Sequence, residues 1–167
     1  MAVTSFSGFV QVTSGDVTGT GDATPKCNLG ALALVDGNVY QYVKFDNGTA
    51  VAAAAGGLLY WLPSYVDTYV VTSDESDASS IDMVAGIATA IYTDTYYCWI
   101  LKKGYYSAIK TNADDDIAAG DALIGSTTDL CCNSVASGTA STYRVFGQAV
   151  AADVDASDTV AGIVDCL

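Results

Sequence analysis

The stretch AIKTNADDDIAAGDALIG, residues 108–125, decides the fold because its frame occurs earlier as YVKFDNGTAVAAAAGGLLYW, residues 42–61. Both copies contain an aliphatic residue followed by Lys, a polar turn, an Ala-Ala-Gly bend and a leucine. Two such units cannot each bury a face alone, so we predict that they close on one another as a barrel or sandwich with pseudo-twofold character. The matching positions are Val43-Lys44 with Ile109-Lys110, Ala54-Ala55-Gly56 with Ala118-Ala119-Gly120, and Leu59 with Leu123.

A second block recurs in the same order after each bend, as MVAGIATA (83–90) and RVFGQAVA (144–151). The chain is therefore interpreted as an internal duplication with half-repeats at about 40–92 and 106–151. Alternating alanines in the shared G-x-A-x-A pattern leave room for large side chains on facing strands. The candidates for these core positions are Tyr60, Trp61, Tyr97, Trp99 and Phe146.

Composition favours an all-β domain. The chain has 167 residues, of which 51% are hydrophobic, and helix-favouring Glu occurs only at position 75. Short apolar runs broken by DG and DNG are typical of hairpins. The Ala-rich run before Leu58 could be called helical, but Gly56 and Gly57 oppose a helix there. We expect one domain over 29–167 and an N-terminal arm over 1–28.

Local patterns predict individual strands. Residues 69–72 predict a strand followed by an acidic, Ser-rich loop over 73–80 and a further strand. The stretch TDTYYCWILKKGYYSAIKT, residues 93–111, predicts a strand, a turn at KKG and a second strand. The C-terminal stretch from residue 144 predicts a strand, an acidic turn and another strand.

The arm carries little apolar material. Its segment SGDVTGTGDATPKCN, residues 14–28, is predicted to be too polar to pack. Its first residues alternate well enough to add a strand to the edge of a sheet on a partner. The residues expected to make this contact are Val3, Phe6, Phe9, Val10 and Val12.

Charge narrows the possible partners. The formal net charge is −13, from 19 acidic and 6 basic residues, so nucleic acid and anionic membrane surfaces should repel the protein. The first residues lack the features of a signal peptide, and no apolar run is long enough to span a bilayer. We expect a soluble product made in a cytoplasm, binding neither nucleic acid nor membrane.

The aspartates of the repeat raise the question of a metal or catalytic site. Asp114, Asp115, Asp116 and Asp121 lie close together, but Ala118, Ala119 and Gly125 occupy positions where an EF-hand loop needs ligands or glycine. The equivalent stretch of the first copy, DNGTAV, reads as an ordinary turn. We interpret the aspartates as solvated turn residues, with a weak surface Ca²⁺ or Mg²⁺ site as the alternative.

The other chemistry-bearing residues predict no cofactor and no metal centre. The five cysteines (27, 98, 131, 132 and 166) have no zinc spacing and are interpreted as reduced, half-buried hydrophobic residues. The chain has no histidine, which removes the usual ways of activating a nucleophile near neutral pH. A pair of aspartates acting as in glycosidases stays open, but an enzyme is not the expected function.

Aromatic residues suggest an interface. Strand alternation places Tyr97 and Trp99 on one face, interpreted as core, and Tyr96 with Cys98 on the other. Tyrosine is enriched where one protein surface meets another. Tyr96, Tyr105 and Tyr106 are therefore the candidates for an interface, either with another copy of the chain or with a partner protein.

The order of these motifs resembles the capsid decoration, or cement, proteins of tailed bacteriophages. The residues that carry the resemblance lie between about 38 and 166 and read YQYVK, AAAGGLLYW, VAGIATA, YYCWILKKG, IAAGDALIG, FGQAVAA and TVAGIVDCL. In that family, x-x-A-G-D-x-L and G-x-A-x-A alternate with strands of the form Y-x-W-I-x-x-x-G, here Tyr97 to Gly104.

The resemblance implies a single β-tulip or β-barrel-like domain, commonly a homotrimer. Such a protein sits on the outer capsid surface of the virion between capsomers, binds the major capsid protein and stabilises the expanded head. Two alternatives stay open. One is a virion-exposed binding module that recognises host surface glycans, and the other is an enzyme that uses paired aspartates.

Overall fold

The computed structural model describes residues 9–47, 51–62, 68–78, 80–112, 116–153 and 158–166. One short helix, α1, and ten strands lie in these ranges, and the strands form one sheet. The elements are α1 (Ser14–Val17), β1 (Leu32–Val35), β2 (Asn38–Phe45), β3 (Leu58–Trp61), β4 (Val70–Thr72), β5 (Val84–Ala88), β6 (Tyr97–Lys110), β7 (Ala122–Gly125), β8 (Cys132–Val135), β9 (Val145–Ala149) and β10 (Thr159–Asp165), with a 3₁₀ turn at Glu75–Asp77.

The first repeat forms a closed barrel. The strand order is β2-β4-β3-β5-β6, and β2 also pairs with β6, which joins the two ends. We call these five strands the first barrel. The predicted all-β, barrel-like domain is confirmed. The prediction that the two copies close on one another is wrong, because β2 pairs with β6 and closes the barrel without β7 to β10.

The second repeat pairs its strands in the same way. The C-terminal half of β6 is followed in the sheet by β10, β9, β7 and β8, which we call the second unit. A parallel bridge between Thr111 and Cys132 links its last strand back to the end of β6. The corresponding contact in the first barrel is the parallel pairing of Lys44 and Phe45 with Val70 and Val71.

The register of the two copies agrees in detail. Leu59 pairs with Gly86 in the first barrel, and Leu123 pairs with Gly147 in the second unit. In both cases the register shifts directly after the leucine, so each copy carries a bulge at the same place. The repeated sequence therefore specifies a repeated pattern of strand pairing, including its irregularity.

The Ala-Ala-Gly bends explain why the repeat needs glycine. Gly56 and Gly120 have φ of +81° and +94°, a left-handed conformation that glycine adopts at little cost. Each glycine donates its N–H to the carbonyl oxygen of the alanine that ends a G-x-A strand. The N···O distance is 2.8 Å from Gly56 to Ala88 and 2.9 Å from Gly120 to Ala149. The bend thus connects each repeat's first motif to its second.

The predicted turn at KKG is wrong, because β6 runs through it as one strand of 14 residues. Gly104, with φ of +130°, lies within the strand and does not end it. Asn38 holds this point: its Oδ1 accepts the Tyr105 N–H at 3.0 Å and its Nδ2 donates to the Tyr105 carbonyl at 3.3 Å. The strand continues because its first half pairs with β2 and its second half with β10.

Most local predictions are confirmed. Asp36 and Gly37, both with positive φ, make the two-residue turn of the β1–β2 hairpin. The strand predicted over 69–72 is β4, the C-terminal pair is β9 and β10, and the run before Leu58 is not helical where it is described. Of the large side chains predicted for the core, Tyr60, Trp99 and Phe146 are buried, whereas Trp61 and Tyr97 are half-buried.

The buried side chains form two clusters. One fills the first barrel and the other extends from its outer side into the second unit. The first-barrel cluster includes Val43, Phe45, Leu59, Val71, Ala85 and Ile100. The other includes Tyr40, Tyr42, Tyr60, Trp99, Leu101, Ile109, Leu123, Phe146 and Val164.

The prediction that residues 14–28 are too polar to pack is wrong. Val17, on α1, is fully buried in the larger cluster, and its carbonyl accepts the Thr89 hydroxyl at 2.5 Å. Thr13 and Asp16 form a capping box that starts the helix. The buried side chain of Val17 thus holds the segment 14–28 against the domain, although the composition of this segment predicts that it does not pack.

Candidate binding surfaces

A cleft of about 590 Å³ lies between the N-terminal segment and the start of β6. We call it the arm cleft. Gly21 closes one end, where its missing Cβ would lie 3.0 Å from the Tyr97 carbonyl oxygen, and Asp22 pairs with Tyr97 through two backbone bonds of 2.8 and 2.9 Å. Its lining residues are Val10, Gln11, Val12, Gly15, Asp16, Gly19, Thr20, Gly21, Asp22, Lys26, Cys27, Tyr97, Cys98 and Trp99.

Aromatic side chains line one side of the arm cleft. Tyr97 stacks on Tyr42 with ring centroids 6.4 Å apart, and Trp99 packs against Tyr42 at 5.0 Å. The Tyr42 hydroxyl accepts the Lys26 backbone N–H at 3.1 Å, and burial raises the pKa of Tyr42 to about 12. Trp99 is only 6% exposed, so Tyr97 supplies most of the accessible aromatic surface.

The charged groups of the arm cleft are already paired. Lys26 Nζ lies 2.6 Å from Asp22 Oδ1, and this contact raises the pKa of Lys26. Asp16 Oδ2 accepts the Thr13 hydroxyl at 2.7 Å and its backbone N–H at 2.8 Å, and these bonds hold the pKa of Asp16 below its usual value. The cleft therefore presents hydrogen-bonding groups without an uncompensated cation.

A second surface lies on the outside of the sheet, and we call it the outer face. Leu34, Val39, Lys103 and Asp165 face one another across successive strands, and Tyr105 faces Ile163 in the next row. Leu34, Tyr105 and Ile163 are 58%, 52% and 50% exposed. Lys103 Nζ lies 2.9 Å from Asp165 Oδ2, so the charges of this face balance.

The edge of the sheet at β1 adjoins the outer face. Val10 donates its N–H to the Leu32 carbonyl at 2.7 Å, and Phe9 makes a parallel bridge with Leu32. Beyond Leu32, no described residue pairs with the outer side of β1. Leu34 thus lies at an edge that can accept another strand.

The structure places the predicted arm residues as follows. Val10 and Val12 are half-buried and pack against the larger core cluster, and Phe9 lies at the edge of β1. Val3 and Phe6 lie outside the described residues. Contact with a capsid through these side chains stays a prediction. Part of the surface of Val10 and Val12 is already buried against the domain's own core.

The three interface tyrosines differ in exposure. Tyr105 is exposed on the outer face, Tyr96 is half-buried, and Tyr106 is half-buried and packs against the larger cluster, where burial raises its pKa. Of the three, Tyr105 offers the most surface to a partner. Leu34 and Ile163 were not predicted as surface contacts, although strand alternation places Ile163 on the same face as Asp165.

One of the aspartates is misassigned by the sequence. Asp121 is buried rather than solvated: its Oδ1 accepts the Ser137 N–H at 2.9 Å and its Oδ2 accepts the Ala118 N–H at 3.0 Å. It fixes the bend around Gly120 and the loop after β8. Asp116 is exposed, and Asp114 and Asp115 lie outside the described residues.

Cys27, Cys98, Cys131 and Cys166 are free thiols. Cys131 and Cys132 differ in burial, as alternation predicts. Cys98, Cys132 and Cys166 are buried rather than half-buried. Burial raises the pKa of Cys27 to about 11 and of Cys166 to about 12, and it also raises the pKa values of Cys98 and Cys131. Since the thiolate is the nucleophile, these thiols should be unreactive.

We expect iodoacetamide at pH 8 to alkylate the native protein much more slowly than the urea-unfolded chain. For Cys27, a rise from 9.0 to about 11 means about a hundredfold less thiolate. Mass spectrometry of time points would give the rate at each cysteine, with the unfolded chain as control. A thiol that reacts equally fast in both states would contradict the burial assigned to it.

Among the described residues, no group of three or more Cys, Asp or Glu side chains is arranged to hold a metal ion. No helix in the described ranges has the length and hydropathy needed to cross a bilayer. Comparison with protein-family models, with curated proteins and with solved structures found no match to the chain.

Proposed function

We propose that this protein is a structural virion protein that binds the outer surface of a phage capsid between capsomers, as a homotrimer, and stabilises the expanded head. The observation that carries the proposal is the outer face, where Leu34, Tyr105 and Ile163 are each at least half exposed. Of these, Leu34 lies on β1, at a strand edge that no described residue covers beyond Leu32. Exposed apolar residues grouped on one face mark interaction sites more often than isolated ones do.

The distribution of charge supports a protein partner for this face. The molecule carries a net charge of −13, yet Lys103 and Asp165 neutralise one another on the outer face. A partner surface can therefore approach here without the repulsion that the rest of the molecule exerts on acidic surfaces. An open strand edge also offers main-chain hydrogen bonds to an extended segment of capsid protein.

The sequence resemblance supports the identity of the partner. The motifs that resemble capsid decoration proteins form the strands of both the first barrel and the second unit. The fold is of the barrel-like class that the resemblance implies.

We expect purified protein to bind expanded heads that lack it and to raise the temperature at which those heads release their DNA. Ile163→Glu should weaken binding at least tenfold, because it would bury a charge without a partner at the interface. The control is Ile91→Glu, since Ile91 is 64% exposed and lies outside the outer face. Sedimentation of heads with labelled protein measures binding, and light scattering measures the oligomeric state.

Failure of the intact protein to bind heads, or equal weakening by both variants, would overturn the proposal. Removal of residues 2–8 tests the arm separately, because it deletes Val3 and Phe6 while keeping Val10 and Val12. We expect this deletion to weaken head binding and to leave the unfolding transition unchanged. If the variant that lacks residues 2–8 binds heads as strongly as the intact chain, these residues make no capsid contact, and the outer face alone is the contact surface.

A further inference from the structure

The size and shape of the arm cleft suit a small ligand. Its volume of about 590 Å³ is within the range of pockets that enclose small molecules. Gly15, Gly19 and Gly21 line it without side chains that could fill it. Both walls are fixed: α1 is attached through buried Val17, and Asp22 is bonded to β6 through its backbone.

Charge argues against an anionic ligand. Asp16 and Asp22 both line the cleft, and among the described lining residues Lys26, which is bonded to Asp22, is the only cation. An anion would meet two carboxylates in a molecule whose net charge is −13. Charge gives an organic cation little advantage either, because Lys26 compensates Asp22, and Thr13 donates twice to Asp16.

The remaining hydrogen-bonding capacity is mixed. A lysine ammonium has three donors, of which the Asp22 contact uses one, and each carboxylate has further lone pairs. Gln11 and Thr20, both exposed, add an amide and a hydroxyl. The cleft thus offers both hydrogen-bond donors and hydrogen-bond acceptors. A ligand hydroxyl group can bond to either kind, because it both donates and accepts.

We propose that the arm cleft binds a neutral saccharide, with the half-buried Tyr97 ring against the apolar face of one sugar and the polar rim bonded to its hydroxyls. Tyr97 and Lys26 lie outside the outer face, so this activity is distinct from head attachment through that face. If the ring contributes as much to the sugar contact as it does in an aromatic pair, about 0.5–1.5 kcal/mol, its loss should weaken binding by about two- to twelvefold.

The test uses maltose, cellobiose, chitobiose and lactose as probes, with sialyllactose as an anionic probe and choline as a cationic one. Trp99 lines the cleft, so its fluorescence should change saturably with at least one neutral disaccharide in the millimolar range. Saturation-transfer NMR then identifies which sugar protons contact the protein. Soluble polymers of the same units separate recognition within a polysaccharide from recognition of the free sugar.

Tyr97→Ala should weaken binding by about two- to twelvefold, and Thr20→Tyr should abolish it by filling the cleft from an exposed position. Tyr105→Ala is the matched control, because it removes an exposed tyrosine outside the cleft and should leave binding unchanged. Absence of saturable binding by every neutral disaccharide, binding of choline or sialyllactose alone, or undiminished binding by Thr20→Tyr would overturn the proposal. Head sedimentation of Thr20→Tyr should equal that of the native chain.

Discussion

Replacement of Gly56 by alanine is expected to lower the free energy of unfolding by about 2–5 kcal/mol, because positive φ and steric overlap act together. A Cβ at this position would run into the backbone carbonyl oxygen of Ala108, in the second half of β6. A backbone oxygen cannot move aside as a flexible side chain can. The bend would have to separate from β6, and the Lys110 N–H bond to the Gly56 carbonyl, 2.9 Å long, would break.

Gly120 is a matched control within the same molecule. It occupies the equivalent bend with φ of +94°, but a Cβ there would have its nearest contact at 3.9 Å, on the Ser137 hydroxyl oxygen. Gly120→Ala should therefore cost only the backbone strain, about 1–2 kcal/mol. Urea denaturation of both variants measures the difference, and equal losses would show that close approach to β6 is not what requires glycine at position 56.

Truncation of the repeat leucines is the second large effect. Leu59→Ala and Leu123→Ala should each lower the free energy of unfolding by about 2–5 kcal/mol, because both side chains are fully buried. Since β6 belongs to both the first barrel and the second unit, we expect each variant to shift one common transition. The reason is that neither unit keeps its sheet if β6 is lost.

Two spectroscopic signals test this coupling. Trp61 and Trp99 are the only tryptophans and both lie on strands of the first barrel, whereas far-ultraviolet circular dichroism reports all strands. In Leu123→Ala the two signals should shift together. A circular dichroism transition that moves while tryptophan fluorescence stays in place would mean that the second unit unfolds alone. Val150→Ala, at an exposed position, is the control and should change stability by less than about 0.5 kcal/mol.

The parts of the fold that the sequence predicts are those encoded by neighbouring residues. The Ala-Ala-Gly bends and the Asp36-Gly37 hairpin depend on backbone conformations that only certain residues adopt readily. The residue types at these positions therefore predict the turns. The repeat adds information because a strand assigned in one copy has to agree with the strand at the same position of the other copy. The strand positions and the barrel-like class follow from these two signals.

The parts that the sequence does not predict depend on distant partners. A Lys-Lys-Gly triplet is typical of a turn, and only pairing with β2 and β10 makes it the middle of a strand. Asp121 is buried because the Ser137 N–H lies within hydrogen-bonding distance. The arm cleft arises where residues far apart in sequence, such as Lys26 and Trp99, come to line one space.

The continuity of β6 has a mechanical consequence. Its 14 residues span roughly 45 Å at the usual rise of a strand, and antiparallel neighbours hold it along both halves. A pull along this strand would load its cross-strand hydrogen bonds in shear, so that many must break together, whereas a pull at right angles would open them one after another. A load applied between the two ends of β6 would thus be shared by the hydrogen bonds that join it to β2 and β10.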